Sequence, residues 1–379
     1  MAERRRVLFV VNDPRFFLTH RLALALGVRE AGYDVHVATP EEPASRELRQ
    51  AGLPYHPVPL QRQGTNPLAD VATIGGLARL YRAVRPDLVH QVTVKPVLYG
   101  TIAARIARVP AVVNAIAGLG QLFAGGGAAA RARRAMLVQG YRLALGHPNA
   151  RTIFQTEDDR ARFIELGLVR AERTALIRGS GADLDAIVPL PEPPGDPVVV
   201  LVARLLRQKG IAEFAAAARQ LRTEGVAARF ALVGDQANNR DAVPQEQLQR
   251  WRDEGTLELW GWRTDMGAVF GESAIACLPT YYPEGVPKAL IDAAAAGRPI
   301  VASETPGCRA VVQPGENGLL VPPRDPGALA DALRRLLADR ALRARYGAAG
   351  RRIAEERFSV RAVVRETLGV YEAALSART

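Results

Sequence analysis

Cysteine is nearly missing from this chain. Cys277 and Cys308 are the only two among 379 residues. Two thiols cannot make a disulfide framework, so the expectation is a reduced, cytoplasmic chain. A sustained hydrophobic run is also missing. The charge-free run Val109–Ala130 is broken by Pro110, Asn114, Gln121 and several glycines, which argues against a membrane span. Only the five apolar residues Val7–Val11 separate the basic start from Asn12. That reads as a first strand and not as a signal peptide. No G-x-G-x-x-G follows it, which speaks against a classical dinucleotide site. Acidic residues are absent between Asp87 and Glu157, an interval that holds Lys95, Arg105, Arg108, Arg131, Arg133, Arg134, Arg142 and Arg151. Within a net charge of +11, such a one-sign field attracts an anionic partner, or it is a solvated face of an arginine-rich chain. Helix-turn-helix, zinc and RNP signatures are all missing, so nucleic acid is not expected.

What is present is an alternating α/β pattern. With 48% apolar and 23% charged residues the chain is globular, and its length suits two domains better than one. Short apolar strands are expected at 6–11, 35–38, 55–58, 111–114, 151–155 and 174–178. A single helix is expected over 18–31, a second over 67–84 and a third over 127–145. Pro189–Pro197 is a stiff, extended linker. A second alternating series then starts at Val198–Val202 and ends in a helix over Val360–Ser376. The expected division is 1–190, 191–358 and a terminal helix in 359–379, with mainly parallel sheets in both halves.

The chemistry concentrates in the second half. Ile275–Leu278 reads as a strand, Pro279–Val286 as an extended loop, Pro287–Ala296 as a helix ended by Gly297 and Pro299, and Ile300–Ala302 as the next strand. Glu284 therefore sits in a loop at a strand's carboxyl end, just before a helix N-terminus. Free N–H groups at such an end, here those of Gly285 and Val286, suit phosphate or sugar oxygens. Glu284 can accept from sugar hydroxyls, and Asp292, inside the helix, can hold a ribose diol. Arg204 and Lys209 follow the strand Val198–Val202, and two cations there can stabilise a departing diphosphate. Gly234, after the strand 230–234, allows close approach of a ligand. Asp183 and Asp185 form a D-x-D pair beside the linker, and a metal-binding role for it is rejected on that placement.

EGVPKALIDAAAAGRPIVAS, with ETPGCRAVVQPGENGLLVPPRD after it and Arg204 with Lys209-Gly210 before it, resembles the E-x7-E region and the cation motif of retaining glycosyltransferases of family 4. That family's second Glu is Asp292 here, and a first-domain His found in many members is Ala117. The resemblance covers nearly the whole chain. It implies the GT-B fold, in which two Rossmann-like domains face across a cleft and the C-terminal helix returns to the first domain. It implies a retaining, metal-independent transfer with no cofactor, in which Arg204, Lys209 and Glu284 act on the donor. Gly234, Gly285, Val286 and Asp292 would bind the rest of the nucleotide sugar. Asn12, His20, Lys95 and Asn114 would face the acceptor or the cleft. Thr93–Phe123 is similar to a branch that adds N-acetylated sugars to polyprenyl-diphosphate-linked glycans in surface-polysaccharide or glycoprotein assembly. The partners implied are a nucleotide sugar, UDP-linked by that resemblance, a lipid-linked saccharide and the anionic inner face of the plasma membrane. Two other readings stay open, a GT-B sugar-nucleotide epimerase and a non-catalytic sugar-nucleotide or membrane-binding partner in a glycan-assembly complex.

Overall fold

The computed structural model describes residues 4–60, 67–118, 127–236 and 241–376. It divides into two units, one of residues 1–180 with 360–379 and one of 181–359. Part of the charge-free run, residues 119–126, and the end of the terminal segment, 377–379, lie outside the described residues.

The first unit is built on a seven-stranded parallel sheet. Its strands are β1 (Arg6–Val11), β2 (Asp34–Thr39), β3 (Tyr55–Pro57), β4 (Leu88–Val92), β5 (Ala111–Ile116), β6 (Ala150–Phe154) and β7 (Thr174–Leu176), in the order β3-β2-β1-β4-β5-β6-β7. β4 and β5 are buried along their whole length, as strands of a parallel sheet covered on both faces must be. The connecting helices are α1 (Pro14–His20), α2 (Leu22–Glu30), α3 (Ser45–Gln50), α4 (Pro67–Val84), α5 (Thr101–Ala107), α6 (Ala128–Leu145) and α7 (Glu157–Glu165). One face of the sheet, with Val7, Phe9 and Val11, packs on α2. The other, with Leu8 and Val10, packs on α4 and α5. The single helix expected over 18–31 is instead two. Asp13 caps α1 by accepting from the Phe16 N–H at 3.1 Å, so the helix begins four residues earlier. It breaks at Arg21, whose backbone leaves the helical region at φ −130° and whose side chain is buried.

The second unit holds a six-stranded parallel sheet of β8 (Val198–Val202), β9 (Arg229–Val233), β10 (Glu258–Gly261), β11 (Ile275–Leu278), β12 (Ile300–Ser303) and β13 (Gly318–Val321), in the order β10-β9-β8-β11-β12-β13. Its helices are α8 (Ile211–Thr223), α9 (Gln245–Asp253), α10 (Met266–Gly271), α11 (Lys288–Ala295), α12 (Pro306–Arg309), α13 (Pro326–Ala338) and α14 (Arg340–Arg357). The division between units falls at Ser180/Gly181, ten residues before the expected 190/191. Arg351 of α14 gives the reason. Its guanidinium donates to the carbonyls of Ile187 (2.7 Å), Leu184 (3.3 Å) and Ala295 (2.8 Å), which ties the start of the proline-rich segment to this unit.

The last helix, α15 (Val360–Ser376), belongs to the first unit. Its Val363, Tyr371, Ala374 and Leu375 join the core under β1 and α2. It approaches α2 closely at Gly27, where an added Cβ would lie 2.6 Å from Val364 Cγ2.

In both sheets the strand order reverses once, between β1 and β4 and between β8 and β11. At such a point the loops leaving two neighbouring strands run in opposite directions and open a crevice at the carboxyl edge.

Two glycines of α14 test the packing of the second unit. A Cβ on Gly347 would sit 2.0 Å from the Gly297 carbonyl oxygen, whereas one on Gly350 would meet nothing closer than 3.5 Å. Gly347→Ala should cost about 1–3 kcal/mol by overpacking. Gly350→Ala should be neutral or stabilise by up to about 1 kcal/mol through helix propensity. Urea denaturation of the two variants checks this, and equal effects would contradict the packing.

Candidate active site

The crevice of the second unit is assembled by two loops. After β8 the chain runs through Arg204 into a 3-10 turn, Arg207–Lys209, and then into α8. Gly210 links turn and helix at φ +76°, and a Cβ there would lie 2.1 Å from the Pro279 carbonyl oxygen. Only glycine combines that left-handed backbone with that approach. The contact lays the β8 loop against the loop after β11. Two further bonds join them, from the Tyr281 N–H (3.0 Å) and the Thr280 hydroxyl (3.2 Å), both to the Gln208 carbonyl.

This joining brings Lys209 and Glu284 together across 75 residues of sequence. The Lys209 ammonium donates to both Glu284 carboxylate oxygens at 2.6 Å. Lys209 is buried, Glu284 is half-buried, and the Tyr282 ring lies 5.5 Å from the Lys209 Nζ. The Thr280 Oγ1 is also 3.2 Å from Glu284 Oε1, and so it can give its single proton either there or to Gln208. Gly307 of α12 closes on this pair, because its missing Cβ would lie 1.9 Å from the Gly285 carbonyl oxygen. Cys308, next in sequence, feels both Glu284 and Lys209, but burial dominates and pushes its thiol up to about 12.

Arg204 is half-buried in the same β8 loop as Lys209. Gly285 and Val286 are buried just before α11, whose N-cap, Pro287, makes no side-chain capping bond. Gly234 has φ +150°, and a Cβ there would lie 1.9 Å from the Ala203 carbonyl oxygen. The fold itself therefore requires glycine at 234, to let the loops after β8 and β9 touch. Asp292 is 2% exposed and accepts a 2.7 Å bond from Lys288, one turn earlier, which also reaches the Gly181 carbonyl at 3.3 Å. Burial raises the Asp292 pKa and Lys288 opposes that rise. Asp183 Oδ1 accepts from the backbone N–H groups of Asp185 and Ala186 at 3.0 and 3.1 Å, a turn-forming use of that carboxylate.

The four candidates of the first unit are dispersed. Asn12 follows β1, and its Oδ1 accepts the Thr93 hydroxyl at 2.8 Å across the strand reversal. Thr93 holds φ +75°, an outlier for a β-branched residue. Lys95 lies just beyond it, 3.9 Å from Asp70, beside a cavity of about 130 Å³ that Thr73 and Tyr99 also line. His20 ends α1, stacked on Phe16 at 4.3 Å, with its Nδ1 2.7 Å from the Thr19 hydroxyl. Asn114 does not fit the expectation of facing an acceptor. It is fully buried in β5, where its Oδ1 lies 3.1 Å from the Thr101 hydroxyl, whose one proton also has Gln91 Oε1 (3.0 Å) and the Val97 carbonyl (2.7 Å) within reach. All six positions of β5 are buried, so every side chain on it points into packing.

Sequence reasoning passed over Thr280, Thr93 and Lys288. The first two act through loop geometry that no local pattern announces. Lys288 was readable, since it precedes Asp292 by the four-residue spacing that pairs charges on a helix.

Residues 6–154 match the family described as glycosyl transferase 4-like, and residues 196–339 match that described as glycosyl transferases group 1. The chain is 25% identical over 336 residues to N,N'-diacetylbacillosaminyl-diphospho-undecaprenol alpha-1,3-N-acetylgalactosaminyltransferase of Campylobacter jejuni, with 85% of this chain and 87% of that one covered. It is 26% identical over 299 residues to UDP-Gal:alpha-D-GlcNAc-diphosphoundecaprenol alpha-1,3-galactosyltransferase of Escherichia coli, with 75% of each covered. Among solved structures, Anabaena Alr3699/HepE in complex with UDP and glucose superposes with a TM-score of 0.77 at 21% identity, over 97% of this chain and all of that one. That likeness shows that the fold is GT-B. The chain is therefore a glycosyltransferase, with a 4-like domain in its first half and a group 1 domain in its second.

Proposed function

We propose that this glycosyltransferase moves an N-acetylhexosamine from a UDP-linked donor to a saccharide carried on a lipid diphosphate, with retention of anomeric configuration and without a metal ion. The observation that carries the reading is the Lys209–Glu284 pair at the carboxyl ends of neighbouring strands β8 and β11. The C. jejuni and E. coli relatives, whose names specify undecaprenol-diphosphate acceptors, support the acceptor class.

In this reading Lys209 exchanges Glu284 for the donor's diphosphate, and Arg204 adds a second charge. Glu284, released, accepts hydroxyl hydrogens of the donor sugar while Thr280 orients it. Asp292 takes the ribose, with Lys288 as its resting partner. An acceptor hydroxyl attacks C1 from the face that the diphosphate leaves. The new C1–O bond forms as the C1–O(phosphate) bond breaks, and a diphosphate oxygen takes the proton. Preorganised cations stabilise the charge that develops there.

The reading extends to a membrane-facing surface on the first unit. Helices α4, α5 and α6 are neighbours, and Arg105 of α5 donates to the Leu143 carbonyl of α6 at 3.1 Å. Leu68, Val71, Ile106, Met136 and Leu143 are exposed on these helices, and so are Arg105, Arg131 and Arg142. Apolar groups among cations suit an anionic lipid surface at which the acceptor resides. None of the described helices is long and apolar enough to cross a membrane.

Two substitutions separate the roles of the pair. Lys209→Ala should lower kcat by about 10²-fold or more and weaken UDP binding. Glu284→Gln should lower transfer by at least about 10-fold while UDP binds as well or more tightly, because Lys209 loses its competitor. Transfer assays with calorimetric UDP titration decide this, and wild-type turnover in either variant would refute the assignment. For the surface, the protein should sediment with phosphatidylglycerol vesicles at low salt and leave them at high salt. Reversing Arg131 and Arg142 to Glu should weaken that binding roughly 30-fold or more, at about 1 kcal/mol per charge. Equal partition into neutral phosphatidylcholine vesicles would remove the electrostatic part of the proposal.

A further inference from the structure

Three arginines of the described chain are almost fully buried, and they differ in how their charge is met. Arg343 donates to both oxygens of Glu192 and to the Leu336 and Leu337 carbonyls. Arg298 donates to the carbonyls of Phe270, Pro191 and Gly271 and lies in the field of Glu192. Arg21, at 4% exposure, has neither kind of partner. Its Nε is buried with no acceptor, and no carboxylate of the described chain reaches its guanidinium.

A second unanswered donor lies close by. His90 of β4 is 1% exposed, and its Nδ1 is 2.6 Å from the Tyr371 hydroxyl of α15. Burial and Arg21 hold the imidazole well below its ordinary pKa, so it is neutral. Burial holds the Tyr371 phenol protonated. A neutral imidazole that accepts the phenol's proton at Nδ1 carries its own hydrogen on Nε2. That Nε2 is buried and has no partner. Arg21 and His90 both line one small cavity, with Leu24, Gln155, Val363 and Thr367 also on its wall and a volume of about 10 Å³.

A buried guanidinium without counter-charge is costly, and water satisfies its hydrogen bonds without answering its charge. The cavity has room for one particle about the size of a water molecule. We infer that it is a binding site for a small monovalent inorganic anion, chloride in size, held by Arg21 and the Nε2–H of His90 between the sheet and helix α15. Burial presses the Arg21 pKa down to about 10, which leaves the guanidinium charged at neutral pH, as the site requires. The residues involved lie within the first unit and outside the donor chemistry proposed above, so this inference stands or falls independently of it.

The test uses the full chain. Melting is followed in sodium chloride, sodium bromide and sodium gluconate at equal ionic strength, since gluconate is too large for the cavity. Chloride and bromide should raise Tm by roughly 5 °C over gluconate at anion concentrations a hundred times Kd. Arg21→Gln should abolish that difference. Crystals grown in bromide should show an anomalous peak between Arg21 and His90. The same Tm in halide and gluconate, or an Arg21→Gln protein that keeps the halide effect, would overturn the inference. Should the variant fail to fold, the bromide map of the unaltered protein decides, and a peak with no anomalous signal, meaning water, rejects the anion.

Discussion

The donor chemistry proposed for this enzyme depends on one ion pair, and that pair depends on one glycine. Lys209 and Glu284 meet because β8 and β11 run side by side while their connections leave in opposite directions. Adjacency of strands alone would leave the loops apart. Gly210 allows the β8 loop to rest its backbone on Pro279, and Gly307 lets the loop after β12 close on Gly285. Each contact excludes even a methyl group. The result is a buried ammonium that is neutralised by a carboxylate less buried than itself. Such a cation is preorganised for a stronger anion, because the carboxylate can move toward solvent or a sugar while the ammonium stays in place.

The first unit repeats the geometry and changes the chemistry. At its strand reversal the loops after β1 and β4 meet through Asn12 and Thr93, both uncharged. The contact is held by a threonine in a backbone region costly for a β-branched side chain. Lys95 follows that contact by two residues, and other cations of the unit lie on the outer helices and at the buried Arg21. One α/β plan thus joins its loops through an ion pair at one strand reversal and through an uncharged Asn12–Thr93 contact at the other.

How much of this was legible follows from how local each feature is. Strands β1, β8 and β11 coincide with their expected limits, because short apolar runs between turn residues are local signals. The α/β class and the cations after β8 were equally accessible, as was the acid after β11. The break at Arg21 was hidden, since its cause is burial of one side chain against β4 and α15. Asn114 misled for a related reason. A polar residue near a strand end reads as a ligand group, and only the packed sheet shows it enclosed beside Thr101 and Gln91. The unit boundary was displaced because proline content marks stiffness, whereas membership of a unit is decided by partners such as Arg351.

Asp292 shows how a departure from a family pattern gains a physical reason. Taken alone, aspartate in place of glutamate shortens the reach by one methylene and weakens a ribose contact. In the folded chain the short stem keeps the carboxylate at 2% exposure beneath Lys288. Burial would favour protonation, and Lys288 supplies the opposing charge. The acid and the lysine one turn before it therefore form one ion pair, and in the donor reading proposed above a ribose diol would take over the bond that Lys288 donates.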